Sequence, residues 1–181
     1  YIVFGPDTDT SNVEIFTDCF RNSKAKKLDL SRFNVASATN VEKMFYGSGT
    51  QTLIIPNWDL TKAAGNTHTM FVCEKLKTID FGDYIKFGKA SLYRMFYQCW
   101  VLNIDTSKIY VEDATSMAGM FYGCESITTI DLTNVKSTSI TSLNQTFVRC
   151  DNVKNIIFSD EFNTSNVTNY SCCFQYCKSI T

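Results

Sequence analysis

The chain has 181 residues, 44% of them hydrophobic and 19% charged, enough for one domain with a sizeable core and unlike a disordered segment. Seventeen Lys and Arg against eighteen Asp and Glu leave a formal net charge of −1, which excludes a strongly basic nucleic-acid binder. No apolar run approaches the roughly 18 residues of a membrane span, Tyr1–Phe4 is too short for a signal peptide, and the single histidine, His68, thins the supply of general bases.

In chain order, residues 1–10 (Tyr-Ile-Val-Phe-Gly-Pro-Asp-Thr-Asp-Thr) read as an N-terminal cap or linker, a strand followed by a turn. Residues 11–181 read as a solenoid of about six to seven repeats, the last incomplete. Phenylalanine returns at Phe20, Phe45, Phe71, Phe96, Phe121, Phe147 and Phe174, at intervals of 25, 26, 25, 25, 26 and 27 residues. Just before it stand Cys19, Met44, Met70, Met95, Met120, Thr146 and Cys173. Four positions ahead come Phe16, Val41, Thr67, Leu92, Met117, Leu143 and Tyr170. Seven ahead come Val13, Ala38, Ala64, Lys89, Ala114, Ile140 and Val167, with Lys89 the clear break.

Offsets of −7, −4, −1 and 0 approximate the 3.6-residue period and predict a helical segment of about three turns leading into each Phe. The period then changes to two, in Leu28-Asp-Leu30, Ile79-Asp-Phe81, Ile127–Leu132 and Val153–Phe158, which predicts short strands. Three residues beyond the strand lies a further apolar column: Phe33, Trp58, Tyr84, Ile109, Val135 and, displaced by one, Phe162. A unit of about 25 residues is too small to close a core, so each must stack its apolar columns on its neighbours.

The phrase Thr115-Ser-Met-Ala-Gly-Met-Phe-Tyr-Gly-Cys-Glu-Ser-Ile-Thr-Thr-Ile-Asp-Leu-Thr133, together with Ser11-Asn-Val13 and Asn163-Thr-Ser-Asn-Val-Thr-Asn169, resembles the repeats of the BspA-type leucine-rich repeat surface proteins. Departures are Ser23 and Ser48 in the Cys column, Cys73 one place early, and Thr146 for Met. The resemblance implies an α/β fold: a leucine-rich-repeat-like solenoid with short parallel strands on one face and helical turns on the other. It also implies a secreted or cell-surface protein, often an adhesin, with virion-associated relatives, and it brings no catalytic residues and no cofactor.

Cys99, Cys124, Cys150 and Cys177 all stand three residues after the Phe. Stacked at about 5 Å per coil they read first as a reduced core ladder. A disulfide between adjacent coils, such as Cys99–Cys124, stays open because such spacings fall within the permitted range of about 4.4–6.8 Å, and metal binding is the least supported reading. The seven Phe and these four Cys make up the expected structural core. Asp29, Asp80, Asp105 and Asp131 alternate with core residues and are expected on the concave strand face, where Asn103, Thr129 and Asn155 join them as a candidate ligand surface. Bonding of the Asp carboxylates to turn amides is the competing account. Tyr46, Tyr97 and Tyr122 share the column after the Phe and form a candidate aromatic contact stripe.

Sequons at Asn144, Asn163, Asn166 and Asn169 carry little weight in a chain rich in Asn, Ser and Thr. His68 is expected as a solvated surface residue, and no phosphate loop, zinc-protease or calcium-loop motif occurs. The expected function is therefore non-enzymatic: recognition or adhesion, binding a protein or glycan through the strand face and loops. The alternatives are a structural part of a virion or envelope assembly, or an intracellular scaffold. Because Cys177–Thr181 stops short of a strand, the chain is expected either to belong to a longer protein or to self-associate through the solenoid ends.

Overall fold

The structure, a computed structural model, describes residues 1–100 and 102–180. Short strands built from alternating side chains set the first side of each coil. Leu28 and Leu30 are buried around Asp29, and Ile130 and Leu132 around Asp131, as the two-residue period requires. The strands are β1 (Ile2–Val3), β2 (Lys27–Asp29), β3 (Thr52–Ile54), β4 (Trp58–Leu60), β5 (Thr78–Asp80), β6 (Ile85–Ser91), β7 (Ile109–Ser116), β8 (Thr129–Leu132) and β9 (Asn155–Phe158). On the first side β1, β2, β3 and β5 pair in parallel, a bridge joins Thr78 to Asn103, and β8 pairs with β9. Residues 1–10 continue this winding, since β1 pairs with β2 and the Thr10 hydroxyl donates to the Asn34 carbonyl at 2.9 Å.

A second side is the parallel sheet β4-β6-β7, prolonged by the bridges Val111–Val135 and Ser137–Phe162. Trp58 pairs with Ile85 and Ile85 with Ile109, so the apolar column passes through Ile85 and not through the expected Tyr84. Lys89 faces solvent while Ala90 is buried against Ala114. A bulge between Ala90 and Ser91 then takes up one residue, so that Ser91 meets Ser116.

The third side overturns the expected α/β class. The molecule is a parallel β-solenoid, and the 3-10 turn Thr106–Lys108 is the one helical element among the described residues. Where helical turns were expected there are chains of overlapping four-residue turns. In the first coil Cys19, Arg21 and Ser23 donate N–H groups to the carbonyls of Phe16, Asp18 and Phe20, three residues back. The intervening N–H groups leave the coil: Phe16, Asp18, Phe20 and Asn22 donate to Asn40, Glu42, Met44 and Tyr46 of the next one. An α-helix would keep these bonds within the segment and hold every φ negative. Here the second residue before and after the Phe is left-handed in most coils: Asp18 (58°) and Asn22 (54°), Arg94 (50°) and Gln98 (58°), Gly119 (64°) and Gly123 (75°), Gln145 and Arg149 (both 57°). Each non-Gly residue in that region costs about 1–3 kcal/mol and persists only when its surroundings over-determine it, as the bonds to the neighbouring coil do.

The three- and four-residue spacing arises because these turns, like a helix, turn inward the side chains at −4, −1, 0 and +3. Met44, Met70, Met95 and Met120 are fully buried. The Phe rings form one continuous stack, with successive centroids 5.6, 5.7, 5.2, 5.6, 6.0 and 5.4 Å apart and planes within 14° of parallel.

Candidate functional site

On the first side the ladder is reduced to a single bridge at Asn103, and the 3-10 turn Thr106–Lys108 follows two residues later. Asp105 caps this turn by accepting from the Ser107 amide at 3.2 Å and from its hydroxyl at 2.5 Å. Thr106, buried by the same turn, accepts the Asp131 N–H at 2.7 Å. A hollow of about 230 Å³ lies between this turn and β8, lined by Asn103, Asp105, Thr129 and Asp131 with Ile104 and Ile127 below them. Four of the seven candidate ligand residues therefore meet in one place. The side chains of Asn103 and Thr129 are exposed and make no hydrogen bond within the described protein, and each carboxylate uses only one oxygen internally. The hollow thus offers mainly acceptors, which suit hydroxyl-, ammonium- or guanidinium-bearing partners.

The other candidates lie apart from it. Asp29 and Asp80 flank Ile54, with which both are in register, and Asp131 is in register with Ile157, so the acidic column is broken rather than continuous. Turn amides occupy the column as well: Ser31 donates to Asp29 at 3.2 Å, Gly82 to Asp80 at 2.8 Å and Thr133 to Asp131 at 3.0 Å. The Ser31 hydroxyl and amide hold the Asp29 carboxyl below its ordinary value. Asn155 is exposed at the start of β9.

The tyrosine stripe is also divided. Tyr97 and Tyr122 stack at 4.7 Å, whereas Val72 takes this position in the coil between Tyr46 and Tyr97 and is nearly buried. Ring faces are met by guanidinium groups, Arg21 over Tyr46 at 5.2 Å and Arg94 over Tyr97 at 4.7 Å. Tyr46 and Tyr97 thus each meet an arginine of the same chain.

All eight cysteines are free. Each thiol in the column donates to the carbonyl of the Phe in the preceding coil: Cys99 to Phe71 at 2.8 Å, Cys124 to Phe96 and Cys150 to Phe121 at 3.2 Å, Cys177 to Phe147 at 3.0 Å. Cys73, one place early in sequence, makes the same bond to Phe45 at 2.7 Å. Burial pushes the Cys99 thiol up to about 12 and raises Cys124 and Cys150 strongly, which keeps these groups protonated and inert at neutral pH. Phe20 through Phe147 are buried, but Phe174 is 51% exposed and Cys177 partly exposed, since they belong to the last coil of the described residues.

Two features carried no sequence signal. Asp113, in β7, accepts from the Thr138 amide (2.9 Å) and hydroxyl (3.2 Å) and from the Ser139 amide (3.1 Å) and hydroxyl (2.6 Å), with Lys89 Nζ 3.5 Å away. Burial acts to raise its carboxyl, but these four bonds outweigh it and bring the group down to about 2. His68, expected to be merely solvated, places Nε2 3.1 Å from Glu42 Oε1, and Lys43 contacts the same carboxylate. No group of three or more His, Cys, Asp or Glu able to hold a metal ion occurs among the described residues.

Residues 7–82 and 90–181 match the model of a family described as Mycoplasma protein of unknown function, DUF285. The unmatched stretch between them covers most of β6 up to Lys89. No curated protein and no solved structure matches the chain.

Proposed function

The chain belongs to the DUF285 family, and from that premise we propose that it is a non-enzymatic recognition module of a repeat-type surface or secreted protein, of the BspA-like kind that its repeats resemble. The observation that carries this reading is the hollow beside the 3-10 turn, where Asn103, Asp105, Thr129 and Asp131 converge. A rigid solenoid presents such a surface without ordering cost on binding. Its acceptor-rich rim fits a glycan or a basic protein segment.

The test is a binding screen of the chain against glycans and cationic peptides, repeated with the Asn103→Ala/Thr129→Ala double variant. Neither side chain supports the fold, so a hit through this hollow should weaken at least tenfold with the unfolding midpoint unchanged. A hit that is unaffected moves recognition elsewhere, and turnover of any screened compound would overturn the non-enzymatic reading.

A further inference from the structure

The third turn chain is one residue short. Its neighbours read Phe45-Tyr-Gly-Ser48 and Phe96-Tyr-Gln-Cys99, whereas here Phe71-Val-Cys73 reaches the Cys column two residues after the Phe. Cys73 keeps the column's bond to Phe45, and Phe71 keeps its place in the ring stack. The lost residue is therefore the left-handed one that follows the Tyr in the coils on either side, where Gly47 and Gln98 stand. The same coil has Val72 between Tyr46 and Tyr97.

Both changes remove matter from the outer surface of an interior coil. What remains is a notch of about 260 Å³, lined by Tyr46, residues 47–49, Val72, Glu74, Lys75 and Gln98. The missing residue is also a missing donor. At other junctions its N–H bonds to the next coil, as Gly47 does to Val72 at 2.8 Å and Gln98 to Tyr122 at 2.7 Å. At this one the Tyr97 carbonyl, in one peptide unit with Gln98, accepts nothing among the described residues, and the Val72 and Cys73 N–H groups donate to nothing. The side chains of Gln98, Glu74 and Lys75 likewise make no hydrogen bond or ion pair within the described protein. Tyr46 supplies an aromatic wall, steadied by Arg21 of the preceding coil at 5.2 Å.

We infer that this notch is a second binding site, distinct from the hollow beside the 3-10 turn, and that it takes a single neutral sugar ring. The apolar face of the sugar lies on Tyr46 and Val72, and its hydroxyls, each both donor and acceptor, meet Gln98, Glu74, Lys75 and the Tyr97 carbonyl. The stack beneath, with Phe71 5.7 Å from Phe45 and 5.2 Å from Phe96, shows that one ring fits per coil. A basic peptide finds no surplus of acceptors here as it does in the hollow, because one carboxylate is matched by one ammonium. The site stands whether or not the hollow binds anything.

Titration with the methyl glycosides of galactose, glucose, mannose and N-acetylglucosamine, followed by amide NMR shifts, tests this, with N-acetyltyrosinamide as the rival probe. Expected are saturable shifts at Gly47, Val72 and Gln98 with at least one glycoside, unchanged in the Asn103→Ala/Thr129→Ala variant. Val72→Tyr, which puts back the missing ring, should weaken that glycoside at least tenfold with the unfolding midpoint no lower. No saturable shift with any of the four, shifts confined to the hollow, or full binding by Val72→Tyr would overturn the inference. So would tighter binding of N-acetyltyrosinamide than of every glycoside, which would make the notch a socket for a partner's aromatic side chain. Should Val72→Tyr fail to fold, Gln98→Ala decides, since this partly buried side chain bonds to nothing else in the described protein: a tenfold loss supports the site and an unchanged affinity refutes it.

Discussion

The strand sides and the turn side of this solenoid do the same work with different backbones. On the strand sides, Leu28 and Ile130 are held by conventional parallel ladders whose residues sit in the broad β region. On the turn side, Phe45 and Phe121 are held just as deeply, yet each is flanked by left-handed residues and bonded outward at alternate positions. Coil-to-coil hydrogen bonding, rather than any one secondary structure, is therefore what defines the repeat. The strand sides draw their stability from side-chain alternation. The turn side adds a ring stack and a row of thiol-to-carbonyl bonds that only exist between coils.

The largest effect should come from breaking the ring stack at its middle. Phe96 is fully buried, with Phe71 at 5.2 Å and Phe121 at 5.6 Å, so Phe96→Ala should cost about 3–5 kcal/mol in denaturant unfolding. Phe174→Ala, with one stacked neighbour and half its surface in water, should cost well under half of that. Equal losses would mean that the stack is not the organising element of the turn side.

How much of this was legible in the sequence follows the same division. The strands at Leu28–Leu30 and Ile130–Leu132 were readable because alternation has one structural meaning. The turn chains were not, because −4, −1, 0 and +3 is the inward set both of a helix and of overlapping turns, and periodicity alone does not separate them. The left-handed positions could have done so: Gly47, Gly119 and Gly123 stand at the recurring −2 and +2 places, where a helix interior disfavours glycine. Asn22, Asp18 and Gln98 at equivalent places blurred that signal. The meeting of Asn103, Asp105, Thr129 and Asp131 was half visible, as a shared column. The hollow itself depends on a 3-10 turn capped by Asp105, for which the repeat pattern gave no hint.

A smaller effect should separate the strand sides by pH. With its carboxyl held at about 2 against an unfolded value near 3.9, Asp113 contributes stability that is fully present above about pH 4. That contribution is lost as pH falls toward 2, when the folded carboxyl itself takes up a proton. Asp113→Asn should remove this acid-sensitive part and cost about 1.5–3 kcal/mol at neutral pH, the range for hydrogen bonds to a charged group. Urea unfolding at neutral pH and near pH 3 measures both. An unchanged pH dependence in the variant would place the acid sensitivity on other carboxylates.

The smallest effect is decisive through its sign. Gln145 sits at φ 57° in the sixth turn chain, and its side chain makes no hydrogen bond within the described protein. In a helix, Gln145→Gly would destabilise by about 0.5–1 kcal/mol through backbone entropy. In the left-handed position it relieves the contact between Cβ and the backbone, so the variant should be at least as stable as the parent, by up to about 1 kcal/mol. Gln145→Val, whose branched side chain tolerates positive φ least, should lose stability at the same site. Thermal unfolding of the pair reads the comparison between the two sides directly: gain with Gly and loss with Val is the signature of turns stitched coil to coil, and the reverse order would restore the helix.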